Sequence, residues 1–380
     1  MQLALTEDQA LLARTANEFV TSGEPIARLR KLRDRRDERG YALDRLARMA
    51  ELGWTGIPFA DADGGLGMGL AELVLVTEAM GRGLAPEPYI PSIVLAGRAV
   101  ALGGSAQQKA DWLAPAIAGT KVLALAHARR GGRFDLTRAP VRATPTDGGF
   151  QLTGEATQVW GGHLADAYVI AARTAGDDGD RSGLALFLIP AGTPGLIATR
   201  QHRVDSLNVA QLALDGVTVG GDTELAAAGD GFGLLSRVID EATVALTGEM
   251  LGGMAEALER TLAYLRERRQ FGVAIGSFQG LKHRAARLYI ELELSRSAVM
   301  AAARAVDAGS ADAPQLVSLA KARLSDAYCL ATNEAVQLHG GIGMTDEHDI
   351  GFFLKRARAS EMTFGDAAYH RGRFAELSGY

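Results

Sequence analysis

The chain has 380 residues, of which 47% are hydrophobic and 22% charged, and its formal net charge at pH 7 is −5. This length suffices for two or three packed domains, and the mild acidity argues against a general polyanion binder, because nucleic-acid-binding proteins usually present a basic surface. The single cysteine, Cys329, excludes a disulfide framework and a thiolate metal cluster.

The N-terminal stretch and the hydropathy pattern predict a soluble, cytoplasmic protein. The chain begins MQLALTEDQALLARTANEF, which places charges where a signal peptide needs an apolar core. No uninterrupted apolar run of the sequence is long enough to span a bilayer, and a lone cysteine fits a reducing compartment. We therefore expect no nucleic-acid partner, no membrane partner and no metal.

Residues 1–120 have the apolar spacing of helices and predict an N-terminal helical domain. Thr6 is a candidate N-cap for a first helix, and the run YALDRLARMAELGW repeats the helical spacing. A glycine-rich loop, DADGGLGMG, precedes AELVLVTEAMGR, which predicts a buried helix.

Residues 121–228 predict a middle β domain made of short runs bounded by Gly, Asp and Pro. The runs are KVLALAHA, VRATPTDGGFQLTGEATQV, DAYVIAAR, SGLALFLIP and VAQLALDGVTV. Asp147-Gly148-Gly149 is a hairpin signal between two alternating segments. Because no helices separate these strands, a parallel βαβ sheet is disfavoured, and we expect an antiparallel barrel or sandwich.

Residues 229–380 predict four long helices joined by short loops, which is the pattern of a helical bundle. The first of these helices is very long and is expected to end at Gly272. The third has Pro314 near its first turn and Gly340 just past its end. The predicted fold class is α+β, with an N-terminal helical domain, a middle antiparallel β domain and a C-terminal four-helix bundle.

Two segments of the predicted bundle contain residues that suit ligand binding as well as helix capping. YLRERRQFGVAIGSFQG places Arg268, Gln270 and Phe271 at the end of the long helix. Basic residues suit a helix C terminus on dipole grounds alone, but an arginine beside an amide and an aromatic ring also suits a pyrophosphate with an attached ring system. NEAVQLHGGIGMTDE puts Gln337 one turn before Gly340-Gly341, which either cap the helix or let a ligand approach the backbone.

Together the two segments resemble the acyl-CoA dehydrogenase family. The N-terminal LTEDQALL, the GGLG loop and EAMGRGLAPEP are also similar to that family, so the resemblance runs from about residue 3 to the end of the chain. The family patterns Arg-x-Gln-Phe-Gly…Phe-Gln and Gln-x-x-Gly-Gly-x-Gly are met by Arg268, Gln270, Phe271, Gly272, Phe278 and Gln279, and by Gln337, Gly340, Gly341 and Gly343.

The resemblance implies a tetrameric flavoprotein oxidoreductase of CH–CH donors, with FAD as cofactor and an electron-transfer acceptor as partner. Members desaturate an acyl-CoA thioester between Cα and Cβ, in fatty acid or steroid side-chain β-oxidation, with a glutamate removing the α proton. The two segments bind the FAD of a neighbouring chain. The cofactor-binding residues that the resemblance implies are Arg268, Gln270, Phe271, Ile275, Phe278, Gln337, Leu338, Gly340 and Gly341.

The β domain departs from the family pattern where a chain contacts its own flavin. Ala126, His127 and Ala128 stand where the family has Thr-Glu-Pro. Gln158 stands at the tryptophan that packs on the flavin, and Trp160 stands at the threonine that bonds it, although a slip in register would return Trp160 to a stacking role. We therefore expect several polar flavin contacts to be lost.

The family's catalytic glutamate is missing from both positions at which members carry it. Phe364 aligns with the position at the corner between the last two long helices, and Ala242 aligns with the position on the long helix. Glu241 is a fallback base, but one residue on a helix is a rotation of about 100°, so it reads better as a surface or packing glutamate. Asp366 and His370 are expected to be an N-cap and a residue one turn into the final helix.

Three hypotheses remain. The chain is the base-lacking subunit of a heteromeric acyl-CoA dehydrogenase and lends FAD contacts to a paralogous chain, as in family members that desaturate steroid side-chain CoA esters. Alternatively, it is a homo-oligomeric flavoenzyme with a relocated base such as Glu241, or with altered chemistry on a carrier-bound acyl substrate. The third hypothesis is a non-catalytic acyl-CoA-binding scaffold without flavin, against which the retained Arg268 and Gln337 motifs speak.

Overall fold

The computed structural model describes residues 4–226 and 230–380, which form two compact units. The first unit comprises residues up to 35, 69–85 and 243–380, and the second comprises residues 36–68 and 86–242. The predicted order of helices, then sheet, then helices is confirmed. The predicted domain boundary between residues 228 and 229 lies outside the described residues.

The helices are numbered in chain order. Their bounds are α1 Glu7–Thr21, α2 Pro25–Asp34, α3 Leu43–Glu51, α4 Leu70–Arg82, α5 Arg98–Gly103, α6 Ala106–Gln108, α7 Ala114–Ile117, α8 Gly231–Glu267, α9 Gln279–Asp307, α10 Ala313–His339, α11 Ile350–Met362 and α12 Ala367–Leu377. Two segments with π-helical bonding, Ile90–Gly97 and Lys109–Leu113, lead into α5 and α7. None of the helices within residues 4–226 and 230–380 has the length and hydropathy needed to cross a bilayer.

Local capping chemistry starts α1 and α12 at the predicted residues. The Thr6 hydroxyl accepts a hydrogen bond from the Gln9 backbone N–H at 3.2 Å, and the Gln9 amide oxygen accepts one from the Thr6 N–H at 3.1 Å, which is a capping box. The Asp366 carboxylate accepts from the Tyr369 N–H at 2.8 Å. Both caps satisfy backbone donors that a helix leaves free at its first turn.

The prediction that α8 continues to Gly272 is wrong, because the helix ends at Glu267. The chain then forms a two-residue hairpin between β8 Arg269–Gln270 and β9 Val273–Ala274. Phe271 and Gly272 form its tip with φ values of 53° and 82°, and this left-handed backbone is what a two-residue hairpin turn requires and a helix cannot contain.

The helices α4 and α8 of the first unit are in backbone contact at glycines. A Cβ placed on Gly252 of α8 would lie 1.8 Å from the carbonyl oxygen of Glu78, and a Cβ on Gly81 of α4 would lie 1.9 Å from that of Glu249. Only glycine permits this approach, so the crossing of the two helices depends on these positions.

The second unit is built on a seven-stranded sheet with the order β1-β4-β2-β3-β7-β6, in which β5 also pairs with β4. Alternating strand residues fill its core, including Leu152, Tyr168 and Phe187. The strand bounds are β1 Leu123–Ala126, β2 Val141–Thr146, β3 Gly149–Trp160, β4 Ala167–Arg173, β5 Leu184–Pro190, β6 Leu196–His202 and β7 Asn208–Gly220.

The sheet differs from the prediction in two details. It is mostly antiparallel, and the predicted hairpin joins β2 to β3, but β1 and β2 each pair with β4 in parallel. The connection from β1 to β4 runs through the β2–β3 hairpin, so a parallel pair arises without a crossover helix. The sequence also does not predict β6, because most of its residues are exposed and show no apolar alternation.

Candidate functional site

The hairpin after α8 presents its polar and aromatic side chains to the surface. Its backbone is fixed on both sides, since the Arg268 N–H donates to the Tyr264 carbonyl at 2.8 Å and the Ile275 N–H donates to the Arg268 carbonyl at 2.8 Å. The Arg268 and Gln270 side chains are exposed, and Phe271 at the hairpin tip is 91% exposed. A rigid backbone with outward side chains is suited to binding rather than to packing within the unit.

The two aromatic rings of this segment form an exposed apolar pair. The Phe271 and Phe278 ring centroids lie 6.2 Å apart in an edge-to-face arrangement, and Phe278 is also exposed. Ile275, in the 3-10 turn between them, is half-buried. Large exposed aromatic surface is a common mark of a ligand or protein contact.

The second predicted segment forms an open turn at the end of α10. Gly340 has a φ of 67°, and a Cβ on Gly340 or Gly341 would meet nothing within 4 Å. Gln337 is exposed one turn earlier. Leu338, by contrast, is only 6% exposed, so its side chain is buried and is not available as an exposed contact. The chain's own packing therefore gives no reason for glycine at Gly341.

An aromatic stack joins the two segments. The Tyr264 ring, one turn before Arg268, stacks on His339 with ring centroids 4.6 Å apart. The same histidine contacts His348 at 4.6 Å, and its Nδ1 donates to the Ala335 carbonyl at 2.7 Å. The structure thus brings the Arg268 hairpin and the Gly340-Gly341 turn together.

The exposed groups of these two segments fit a pyrophosphate-linked ring cofactor. No carboxylate within the described residues pairs with the Arg268 guanidinium, so its donors are available for phosphate oxygens. Among the residues that the structure describes, the Gln270 side chain donates to the neighbouring Arg269 carbonyl alone, at 2.7 Å. A cation without a carboxylate partner in the described part of the chain, a side-chain amide, two exposed rings and open glycine backbone are compatible with the pyrophosphate end of FAD.

The segments of the β unit at the family's own-flavin positions do not offer a matching donor set. Burial lowers the pKa of His127 to about 4, so it is neutral at pH 7 and supplies no cation. The Ala128 carbonyl, two residues past β1, accepts from the Thr157 N–H of β3 at 2.8 Å. Gln158 is exposed at a bulge of β3 with a φ of 54°, and the Trp160 ring lies 5.8 Å from the Arg203 guanidinium.

The corner between α11 and α12 is tightly bonded. Phe364 has a φ of 60°, and its carbonyl accepts from His370 Nε2 at 3.1 Å. Lys321 Nζ donates to the Gly365 carbonyl at 2.7 Å and to the Glu361 carbonyl at 3.0 Å. These hydrogen bonds fix the backbone of the corner at the position that aligns with the family's base.

The titratable groups around this corner are occupied in hydrogen bonds with the backbone or with other side chains. Burial lowers the pKa of His370 to about 3, so its Nε2–H is a donor to the backbone and not an acid. Burial also lowers the pKa of the fully buried Lys321 to about 7. The Glu361 carboxylate accepts from Cys329 Sγ at 3.4 Å and from Arg358 at 3.2 Å. Sequence reasoning missed Lys321, whose only signal is a lysine on the apolar face of α10.

Glu241 is not a surface residue but a buried, doubly paired carboxylate. Its side chain is 3% exposed, and its oxygens accept from Arg98 at 2.6 and 3.1 Å and from Arg237 at 3.0 Å. Arg98 also donates to the Pro58 carbonyl at 2.7 Å. Ala242 is fully buried. Both oxygens of Glu241 are held by guanidinium donors, which disfavours it as a base.

We expect Glu241→Gln to lower stability and to leave the flavin and the turnover of the enzyme intact. Removing the charge leaves Arg98, whose side chain is 15% exposed, without its counter-ion. Loss of one partner costs about 3–5 kcal/mol in fully buried pairs, and the partial exposure of Arg98 places the expected loss below that range. Chemical denaturation measures the stability, and the initial rate of desaturation per bound flavin measures the turnover. Loss of turnover with flavin retained would instead identify Glu241 as a relocated base.

Comparisons with known proteins agree with these features. The model of the acyl-CoA dehydrogenase N-terminal domain matches residues 6–120, and that of the C-terminal domain matches residues 229–378. The chain is 33% identical to the acyl-CoA dehydrogenase FadE27 of Mycobacterium tuberculosis over 316 residues, which covers 80% of this chain and 79% of that protein.

Solved structures share the whole fold. A chain of the ChsE4-ChsE5 complex from Mycobacterium tuberculosis superposes with a TM-score of 0.90 at 29% identity, covering 100% of both chains. A chain of the Tcur3481-Tcur3483 steroid ACAD superposes with a TM-score of 0.87 at 28% identity, covering 98% of both. The chain therefore belongs to the acyl-CoA dehydrogenase family and is an FAD flavoprotein of the CH–CH oxidoreductase type.

Proposed function

We propose that the chain is the base-lacking subunit of a heteromeric acyl-CoA dehydrogenase, in which it lends FAD contacts to a paralogous chain that carries the base. One observation carries the proposal. The chain keeps an exposed Arg268 hairpin with no carboxylate partner among the described residues, while Phe364 stands at its own corner.

In the proposed assembly, Arg268 binds the phosphate oxygens of FAD through charge-assisted hydrogen bonds. The Gln270 amide and the backbone at Gly340-Gly341 supply further polar contacts, and the Phe271 and Phe278 rings exclude water from them. When bound, FAD supplies the hydride acceptor for α,β-desaturation of an acyl-CoA thioester.

At the position of the family's base, the chain's own corner carries no side chain that can take the α proton. A phenyl ring has no titratable group, the His370 ring donates to the Phe364 carbonyl, and the Asp366 carboxylate caps α12. The α proton is therefore removed by the partner chain. The same proposal includes a cytoplasmic tetramer with three segments, 1–120, 121–228 and 229–380, and an electron-transfer partner that reoxidises the flavin.

Two of the similar structures support a two-chain enzyme. The ChsE4-ChsE5 protein is a complex of two differently named chains, and the Tcur3481-Tcur3483 protein is a steroid ACAD. By analogy, we propose a CoA thioester of a steroid side chain or a fatty acid as the substrate class.

The proposal is tested by purifying the chain alone and together with a homologue encoded in a neighbouring gene. We expect the lone chain to show no desaturation of CoA thioesters, and the pair to be active. A lone chain with stoichiometric flavin and full turnover would contradict the proposal. A pair that binds CoA thioesters but no flavin would favour the scaffold hypothesis.

A further inference from the structure

The loop that follows the Gly340-Gly341 turn is held by arginines of α2. Arg33 binds the two oxygens of the Asp346 carboxylate at 2.7 and 2.6 Å. Arg30 donates to the Asp349 carboxylate at 3.0 Å, to the Glu347 carbonyl at 3.2 Å and also to the Asp346 carbonyl. The loop of residues 345–349 is therefore bonded through side chains and backbone to one short helix.

The guanidinium groups of Arg30 and Arg33 are also restrained by stacking on an aromatic ring. The guanidinium carbons of Arg30 and Arg33 lie 4.8 and 4.9 Å from the Phe352 ring centroid. Phe352 is a buried residue of the core cluster that also contains Ile26 and Leu29 of α2. Stacking on a fixed ring limits the guanidinium rotamers, so the bidentate pair forms with a small loss of conformational entropy.

The same loop contacts the aromatic stack between the two cofactor segments. His348 belongs to the loop, and its ring lies 4.6 Å from that of His339. His339 stacks on Tyr264, one turn before Arg268. An unbroken series of contacts thus runs from α2 through the loop and the stack to the hairpin.

The Arg33–Asp346 pair contributes little to folding. The two side chains are 25% and 58% exposed, and exposed ion pairs typically contribute about 0–1 kcal/mol to stability. The hydrogen bonds from Arg33 lower the pKa of Asp346 to about 2, so the carboxylate is ionised at neutral pH. The pair restrains the position of the loop more than it stabilises the chain.

We propose that Arg33 and Arg30 are positioning residues for the cofactor segments. By fixing the 345–349 loop and the His348–His339–Tyr264 stack, they set the geometry in which the Gly340-Gly341 turn and the Arg268 hairpin grip the FAD pyrophosphate together. The inference rests on the proposed function of these segments.

The test compares Arg33→Ala with Lys31→Ala in the co-purified assembly. Lys31 is an exposed residue of the same helix, so its substitution removes an equal charge without touching the loop. We expect Arg33→Ala to weaken FAD binding by up to about five-fold, which corresponds to about 1 kcal/mol. We expect Lys31→Ala to match the wild type. The measurements are the FAD dissociation constant and the unfolding midpoint of the FAD-free assembly, because bound FAD would itself raise the midpoint.

A positioning role requires the affinity to fall while the unfolding midpoint stays within about 2 °C of the wild type. It also requires partial recovery in the conservative variant Arg33→Lys, which keeps a cation beside Asp346 but not the bidentate fork. Unchanged affinity in Arg33→Ala, or a midpoint that falls by more than this limit, would overturn the inference. Unchanged FAD binding in Arg268→Ala would instead count against the proposed function itself, so the two failures are distinguishable.

Discussion

Replacing Arg268 with alanine should lower the affinity of the co-purified assembly for FAD about 100-fold relative to the wild type. A hydrogen bond to a charged group contributes about 1.5–3 kcal/mol, and the guanidinium can form two with phosphate oxygens. Because Arg268 has no carboxylate partner within the described residues, its removal leaves no intrachain charge unpaired. The fold should therefore remain stable while the flavin is lost.

The matched control for this change is Arg266→Ala. Arg266 is also exposed but lies on the last turn of α8, about 200° around the helix axis from the position two residues later. Titration of each apo-assembly with FAD, followed by flavin fluorescence, gives the affinities. Equal FAD binding by Arg268→Ala and Arg266→Ala would mean that the hairpin does not bind the pyrophosphate.

Replacing Gly252 with alanine should destabilise the chain by about 3 kcal/mol or more, at the upper end of the cost of overpacking. The added Cβ would lie 1.8 Å from the Glu78 carbonyl oxygen and 3.1 Å from the Arg82 nitrogen. Both atoms belong to the α4 backbone, so no side chain can rotate away. The helices α4 and α8 would have to separate, and the higher helix propensity of alanine, up to about 1 kcal/mol, offsets only part of this cost.

The control for this prediction is Gly372→Ala in α12. Gly372 is exposed, and a Cβ there would meet nothing within 4 Å, so alanine should raise stability by up to about 1 kcal/mol through helix propensity alone. Urea unfolding of both variants measures the difference. A Gly252→Ala protein as stable as the wild type would show that α4 and α8 do not touch at this glycine.

Features that depend on neighbouring residues could be predicted from the sequence. The Thr6 and Asp366 caps and the Asp147-Gly148-Gly149 hairpin each depend on residues within four positions of one another, and all are confirmed. The end of α8 was mispredicted because Arg269 and Gln270 are compatible with a helix. The left-handed backbone at Phe271 is unusual for a residue with a side chain.

Contacts between distant residues were not predictable in the same way. The sequence leaves Glu241 as a surface or packing glutamate, and its partner Arg98 is 143 residues away in the chain. Arg33 and Asp346 are 313 residues apart, and helical periodicity carries no signal for such a pair. The two parallel pairings of β4 likewise depend on the path of the chain between strands, which the apolar pattern does not specify.

The most direct test of the account is the flavin count of the native assembly, measured by absorbance against total protein after purification without added FAD. If the chain lacks a base and lends its Arg268 hairpin to a partner, the assembly should contain half as many bound FAD molecules as polypeptide chains. It also predicts no tightly bound FAD in the chain purified alone. One FAD for every chain, in an assembly made of this chain only, would contradict the account.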